Sequence, residues 1–406
     1  MYTHYWKRNL FVIFLSQFLA MVGFGCCMPF IPLLLKNHLH IDNEQLRGLY
    51  VSIYSLAGQL SLTVAYPFWG TLADKYGRKI MLLRASYAAG LLYPLLAFAG
   101  NFWWLLGIRF FTSFFSGTVN PAQTLLVATT PKDKHGLALG LLSTCIWSGD
   151  VTGYLAGGLM VDYFGYKVAF LACGFFYILG GVLVHLFVQE NFVPPAPQAA
   201  SPKVKPAARH KFRQVATPAV LWVCAFFLLM GIARRIDTPF IAMLVETVNG
   251  PDRAATCTGI TSAFAAVGGI IAGLVVGRLC DTVAPRKLLL PILISSGLFT
   301  LGQAFSSSLH ALILCRFLTY MAAAGLQPVL QVMLTKVTAP EKRGTFFGWT
   351  ASLSTAGGVL CNLLSGALAY YVGVRGVFAA GGITFLLMIP LLIPFLRAYR
   401  NEYRAS

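Results

Sequence analysis

The sequence predicts an all-α polytopic membrane protein, with twelve transmembrane helices in two pseudo-symmetric six-helix halves around a central cavity. Three observations predict it. The 406 residues are 57% hydrophobic and 11% charged, outside the balance of a soluble globular chain. Apolar runs long enough to cross a bilayer recur along the whole length. A short charged segment, Gly70-Thr71-Leu72-Ala73-Asp74-Lys75-Tyr76-Gly77-Arg78-Lys79, returns about 207 residues later as Gly277-Arg278-Leu279-Cys280-Asp281, closed by Arg286 and Lys287.

The first apolar run, 10–35, is too long for a signal-peptide core and has no convincing cleavage site, so it reads as a retained helix. Further spans fall at 48–73, 80–99, 102–130, 136–161 and 166–188. Residues 189–216 then break the pattern with Pro194, Pro195, Pro197, Pro202 and Pro206 among several Lys and Arg. That composition favours an extended cytoplasmic linker. Six more spans follow at 217–246, 254–277, 287–305, 309–337, 344–372 and 375–396. The domain plan is therefore 1–188, a linker at 189–216, and 217–406. Interior Gly and Pro do not disqualify these helices, because neighbours can satisfy the backbone groups they free.

The repeat reaches well beyond the charged segment. Arg109-Phe110 matches Arg316-Phe317 and Pro121 matches Pro328, each offset by 207. Gly136 and Gly140 match Gly344 and Gly348, Gly165 matches Gly373, and Phe170 matches Phe378, each offset by 208. Pro29-Phe30-Ile31 answers Pro239-Phe240-Ile241. So many matches at a nearly constant offset indicate duplication, and duplicated membrane halves meet at a cavity near the bilayer midplane.

The formal charge of +18 raises nucleic acid as a partner, but its distribution excludes that reading. With both termini inside, the cytoplasmic segments collect Lys7, Arg8, Lys75, Arg78, Lys79, Arg84, Lys132, Lys134, the linker cations, and Arg397, Arg400 and Arg404. The opposite loops carry Lys36, Arg47, Lys167, Arg253 and Arg375. This asymmetry sets orientation. The nine cysteines show no CxxC or Cys/His ligand spacing and read as small packing residues, so no metal or cofactor is expected. His38 and His40, beside Asp42 and Glu44, read as a solvated loop.

On the residues 70–79 and on Gly149, Gly153, Gly157 and Gly158, the chain resembles the major facilitator superfamily over essentially its whole length. Within it, the resemblance is to the twelve-helix drug:proton antiporter branch, MdtG-type efflux proteins among them. The 70–79 segment fits the superfamily signature between helices 2 and 3. The helix-5 glycines fit the antiporter pattern Gly-x-x-x-Gly-Pro-x-x-Gly-Gly, with Tyr154 in place of the proline. Arg109 matches the branch's helix-4 arginine, while Ser113 stands where a glycine is expected. The resemblance implies alternating access, and a latch between the halves on the cytoplasmic side at Gly70, Asp74, Gly77, Arg78 and Lys79, with Asp281 its second-half counterpart.

Local chemistry sharpens these expectations. Gly70 and Gly77 permit a tight reversal, and Asp74 can cap a helix start and pair with Arg78. The helix-5 glycines, at spacings of four, give a smooth face for close helix approach. Roughly 2.5–3.5 kcal/mol is the insertion cost of a charge at a helix centre, so charges there point to a buried use. Six fall within the spans: Arg109, Asp150, Arg234, Arg235, Asp237 and Arg316. Asp150 and Asp237 are the deep carboxylates and, with Arg109, the proton-coupling candidates. Arg234 and Asp237, three apart on a helix, can neutralise each other. Arg235 then needs another partner, and with Arg234 suits an anionic substrate. Arg316, Gln123, Gln327, Gln331 and Trp147 complete the substrate-binding candidates. Tyr54, Tyr66, Tyr154, Tyr320 and Trp349 are further aromatics able to line a cavity.

No Ser/His/Asp set, nucleotide loop or zinc motif is present, which argues against an enzyme or an ATP-driven pump. The expected function is secondary transport in the cytoplasmic (inner) membrane by a monomer, with protons as coupling ion and a small organic molecule as substrate. Proton-coupled efflux is the leading form. The alternative is a dedicated carrier of an organic anion, such as a carboxylate metallophore, with Arg234 and Arg235 as ligands.

Overall fold

The computed structural model describes residues 5–190, 192, 218–337 and 343–405. The expected linker falls largely outside the described residues, and so do the side chains of Asp74 and Asp281. All the secondary structure described is α- or 3₁₀-helix.

Among the described residues, eight helices are long and apolar enough to cross a membrane. Two of these bend back at a glycine, and two further passes, 102–129 and 218–249, are interrupted helices. The described residues thus make twelve passes. In chain order they are α1 (Trp6–Asn37), α2 (Glu44–Tyr76), α3 (Arg78–Phe98) and α4 (102–129). The arms of His135–Phe187 on either side of Gly165 are α5 and α6. The second half holds α7 (218–249), α8 (Ala254–Thr282), α9 (Pro285–Ala304) and α10 (309–337). The arms of Arg343–Ala405 around Gly373 are α11 and α12.

Gly165 and Gly373, matched in the sequence repeat, break those long helices at φ 81° and φ 79°. An L side chain is strained there, and glycine is not. Close packing shows the reversal: Gly149 on α5 meets Phe18 and Met21 of α1, and Gly180 on α6 meets Ser16 of the same helix.

The duplication seen in sequence is a duplication of contacts. Gly149 lies against the carbonyl of Phe18, and Gly357 lies against that of Leu228 at the equivalent place. Gly90 packs on the backbone of Gly174, and Gly297 on that of Gly382. Asn101 and Ser308, 207 apart, each accept a backbone N–H three residues on to start α4 and α10. Small residues let backbones approach where no hydrophobic drive exists between helices.

Two corrections concern the helices that carry the charged residues. α2 runs through Gly70 to Tyr76, so the reversal rests on Gly77 alone, at φ 98°. Pass α7 is not continuous at Arg234–Asp237. Its first helix ends at Ala233, and a 3₁₀ turn follows at Thr238–Phe240. Pro239 causes the interruption, since its ring removes a donor and crowds the turn before it. The repeat carries the same device at Pro29, in the 3₁₀ turn Met28–Phe30 of α1.

The halves meet at the face opposite the termini. One seam joins α5 to α8, with Gly158 against Ala255 and Thr256, Gly259 against Tyr154, and Gly269 against Trp147. Its repeat equivalent joins α2 to α11, with Gly48 against Ala369 and Gly366 against Ser52. Both seams end part-way: toward the terminal face, no atom of the described residues lies within 4 Å of where a side chain would start at Gly140, Gly273 or Gly70. Charges reinforce the closed face. Glu246 of α7 pairs with Lys36 of α1 and, at 3.1 Å, with Arg47 of α2. Asp162 accepts from the Thr256 N–H at 2.7 Å, capping α8 from the other half.

Candidate functional site

Between the halves lies a cavity of about 220 Å³. The first half supplies Phe24, Met28, Tyr54, Arg109, Trp147 and Tyr154; the second supplies Thr238, Pro239, Ser262, Arg316 and Tyr320. The proline breaks place Met28 and Thr238 on opposite walls, since each breaks its helix at cavity depth. The duplicated arginines, Arg109 and Arg316, therefore face one another's half across the same space.

Their environments differ. Arg316 is 2% exposed and donates through Nη1 to the Asp237 carboxylate. Gln303 accepts from the same nitrogen at 3.1 Å, and the Tyr320 hydroxyl accepts from Nη2 at 3.2 Å. Gln303 is itself fixed by donating to Thr319 Oγ1 at 2.8 Å. Arg316 Nε is left without an acceptor, but the carboxylate neutralises the charge, which lets it persist in a low-dielectric interior.

Arg109 has no carboxylate partner among the described residues. Its Nη1 reaches the Met28 sulfur at 3.4 Å, its guanidinium lies 5.0 Å from the Tyr54 ring centroid, and its Nε is buried without an acceptor. Gly58 makes room for it, as a side chain there would collide with the guanidinium. By the repeat, Cys27 stands where the second half has Asp237. The cavity wall thus carries one neutralised and one uncompensated arginine.

The remaining candidates separate. Trp147 lines the cavity, but Asp150, one turn further on α5, does not. Asp150 is half-buried and its Oδ1 has no hydrogen-bond partner. The expected Arg234–Asp237 neutralisation is overturned: Asp237 turns to Arg316, and Arg234 donates to Gln327 Oε1 at 3.3 Å. The helical break removes the shared face that the pairing needed. Arg235 is exposed and lies against Gly358 of α11, outside the cavity. Gln123 lines a shallow recess with Arg78 at the terminal end. Gln327 and Gln331 lie on α10, and neither reaches the central cavity.

The four glycines of α5 do not share one task. Gly149, Gly153 and Gly157 pack on α1 within the first half, whereas Gly158 packs on α8 across the seam. At the terminal end, Gly77 bends the chain, and the N–H groups of Arg78 and Lys79 donate to Glu190 at 3.1 Å and 2.7 Å. Glu190 caps the start of α3, and the cap and Arg78 pairing expected of Asp74 rest on a side chain outside the described residues. Sequence reasoning missed Glu190, Asp162 and Glu246. Glu246 carried one usable signal, because it lies 210 residues from Lys36, the same offset as the Pro-Phe-Ile match.

The Major Facilitator Superfamily model matches residues 13–255 and 238–405. The chain is 30% identical to the "Multi-drug resistance efflux pump PmrA homolog" of Lactococcus lactis subsp. lactis over 397 residues, 96% of this chain and 95% of that protein. It is also 30% identical to "Multidrug resistance protein MdtG" of Salmonella typhimurium over 384 residues, 94% of each. Among solved structures, nucleoside transporter NupG superposes with a TM-score of 0.77 at 13% identity, covering 96% of this chain and 99% of the other. That last likeness concerns the fold alone.

Proposed function

Because the chain belongs to the Major Facilitator Superfamily, a family of transporters and not of enzymes, we propose that it exports small organic molecules by proton-coupled antiport through alternating access to the central cavity. The observation that carries this reading is the 30% identity to multidrug efflux pumps along 94–96% of the chain. The cavity supports it, since Phe24, Tyr54, Trp147, Tyr154 and Tyr320 offer flat, apolar, sequence-tolerant contact. With the terminal face in the cytoplasm of a bacterial cell, the seams hold the outer side shut and leave the inner side open to load substrate.

Asp150 is the proton carrier in this reading. Its carboxylate lies on the seam helix α5 without an ion-pair partner among the described residues, so its charge is costly when water is excluded. Protonation removes that cost and favours the state closed on the cytoplasmic side; deprotonation favours the state described here. A proton thereby acts as a ligand with different affinities for two states, which is what coupling requires. Asp237, held by Arg316, serves to keep α7 and α10 in register.

A second reading rests on Arg109. An uncompensated guanidinium in an aromatic cavity suits a substrate bearing a carboxylate or another strong acceptor. Arg109 takes the role first expected of Arg234 and Arg235. The metallophore named as one such anion has no support among the relatives.

Purified protein in sealed proteoliposomes, under an imposed pH gradient, tests both. Movement of a lipophilic cation coupled to protons supports multidrug antiport. Selective movement of an aromatic carboxylate, lost in Arg109→Gln, supports the second reading. Movement of neither under any gradient defeats both.

A further inference from the structure

A second cavity, of about 300 Å³, lies inside the first half near the terminal face, between α2, α3 and α4. It shares no lining residue with the central cavity. Its walls are largely apolar, with Leu62, Trp69, Met81 and Phe114, yet Arg78 and Arg84 also line it. Among the described residues no carboxylate does.

Arg84 is the informative residue. Its guanidinium carbon sits over the Trp69 ring, 3.6 Å from the centroid. The ring is itself fixed, because Trp69 Nε1 donates to the Phe114 carbonyl at 2.7 Å. Stacking satisfies the face of the guanidinium and leaves its edge, where Nε and Nη1 are buried with no acceptor. Unmade bonds on a buried cation are expensive. The α3 N-terminus is not the reason for a positive field, since Glu190 already occupies the N–H groups of Arg78 and Lys79.

The missing partner must be an anion with several acceptor oxygens, to match the fork of an arginine edge. It must also carry an apolar portion, because a free inorganic ion would leave Leu62, Met81 and Phe114 facing water. A phosphodiester attached to acyl chains meets both demands. The membrane supplies it at high local concentration, beside a face rich in Lys and Arg. We propose that this cavity is a headgroup site for an anionic phospholipid. Its phosphate binds Arg84 and Arg78, and its first methylenes lie on Leu62, Met81 and Phe114. The lipid fills the space between α2, α3 and α4 and so braces the Gly77 turn.

Native mass spectrometry of the full chain in detergent, titrated with phosphatidylglycerol or phosphatidylcholine of the same acyl chains, tests this. The first phosphatidylglycerol should bind about tenfold more tightly than phosphatidylcholine, whose phosphate offers the same oxygens but whose choline cation is repelled by Arg78 and Arg84. Arg84→Gln should abolish that preference while general lipid adhesion persists. Arg84→Lys, which keeps the charge and loses the fork, should retain part of it and covers the case where the first variant misfolds. Equal binding of the two lipids by the parent protein overturns the proposal, as does an unchanged preference in Arg84→Gln. Displacement of phosphatidylglycerol by millimolar inorganic phosphate assigns the site to a free ion and overturns the lipid. None of these readouts uses transport, so failure here leaves the transport reading standing on its own test.

Discussion

Lys36 and Glu246 occupy equivalent positions in the two repeats, 210 residues apart, and pair with each other across the closed face. Equivalent positions near a pseudo-twofold axis must face one another, so like charges there would repel. Opposite charges turn this symmetry-enforced meeting into a clasp, and Arg47 strengthens it with a second bridge to the same carboxylate. Glu246 is nearly buried in this arrangement, and Arg47 more so, which shields both from screening by salt.

Glu246→Gln should therefore loosen the closed face. Paired spin labels on the α1–α2 and α7–α8 loops should show the outward-open population rising about fivefold, as expected for roughly 1 kcal/mol. The exchange Lys36→Glu with Glu246→Lys should restore part of the closure, though Arg47 then repels the new lysine. An unchanged distance distribution in Glu246→Gln would show that the glycine seams alone hold this face.

The Asp237–Arg316 pair makes a stability prediction. Removing either partner leaves a buried charge alone, at a cost of about 3–5 kcal/mol. Asp237→Asn and Arg316→Gln should each lower the melting temperature in detergent sharply. The double variant should be less destabilised than the sum of the two. Strict additivity would mean that the pair is not coupled.

Asp150→Asn should separate chemistry from architecture. Loss of transport driven by a pH gradient is expected, at least about tenfold, while substrate exchange without a gradient persists. Full gradient-driven activity in this variant would remove Asp150 as the carrier.

Adjacent glycines should behave differently. Gly157→Val forces a side chain into Cys26 and Phe30 of α1, within the first half, and should reduce the yield of folded protein. Gly158→Val meets Ala255 and Thr256 across the seam, so the protein should fold but fail to close its outer face. Size-exclusion recovery and the same spin-label distances distinguish the two.

Much of the architecture was legible from residues alone. Length and apolarity set the passes, and the offsets of 207 and 208 located Gly165 and Gly373, whose positive φ values end α5 and α11. The same offsets paired Arg109 with Arg316, and both line the cavity. Local signals suffice for these features, because a lipid-spanning helix must satisfy its own backbone and a turn needs its glycine.

The partners of the charges were not legible. A helical period put Arg234 and Asp237 on one face, yet Pro239 breaks that helix and the carboxylate crosses to Arg316 on α10. Asp150, one turn from a cavity residue, does not line the cavity, and Glu190 caps α3 from the far end of the first half. The sequence by itself determined how many helices there are, which halves repeat and where the chain turns, since these depend on the chemistry of neighbouring residues. Only the tertiary structure decided which charge meets which and which glycine faces which half. Those contacts join residues tens to hundreds of positions apart, and each is selected by the packing of whole helices.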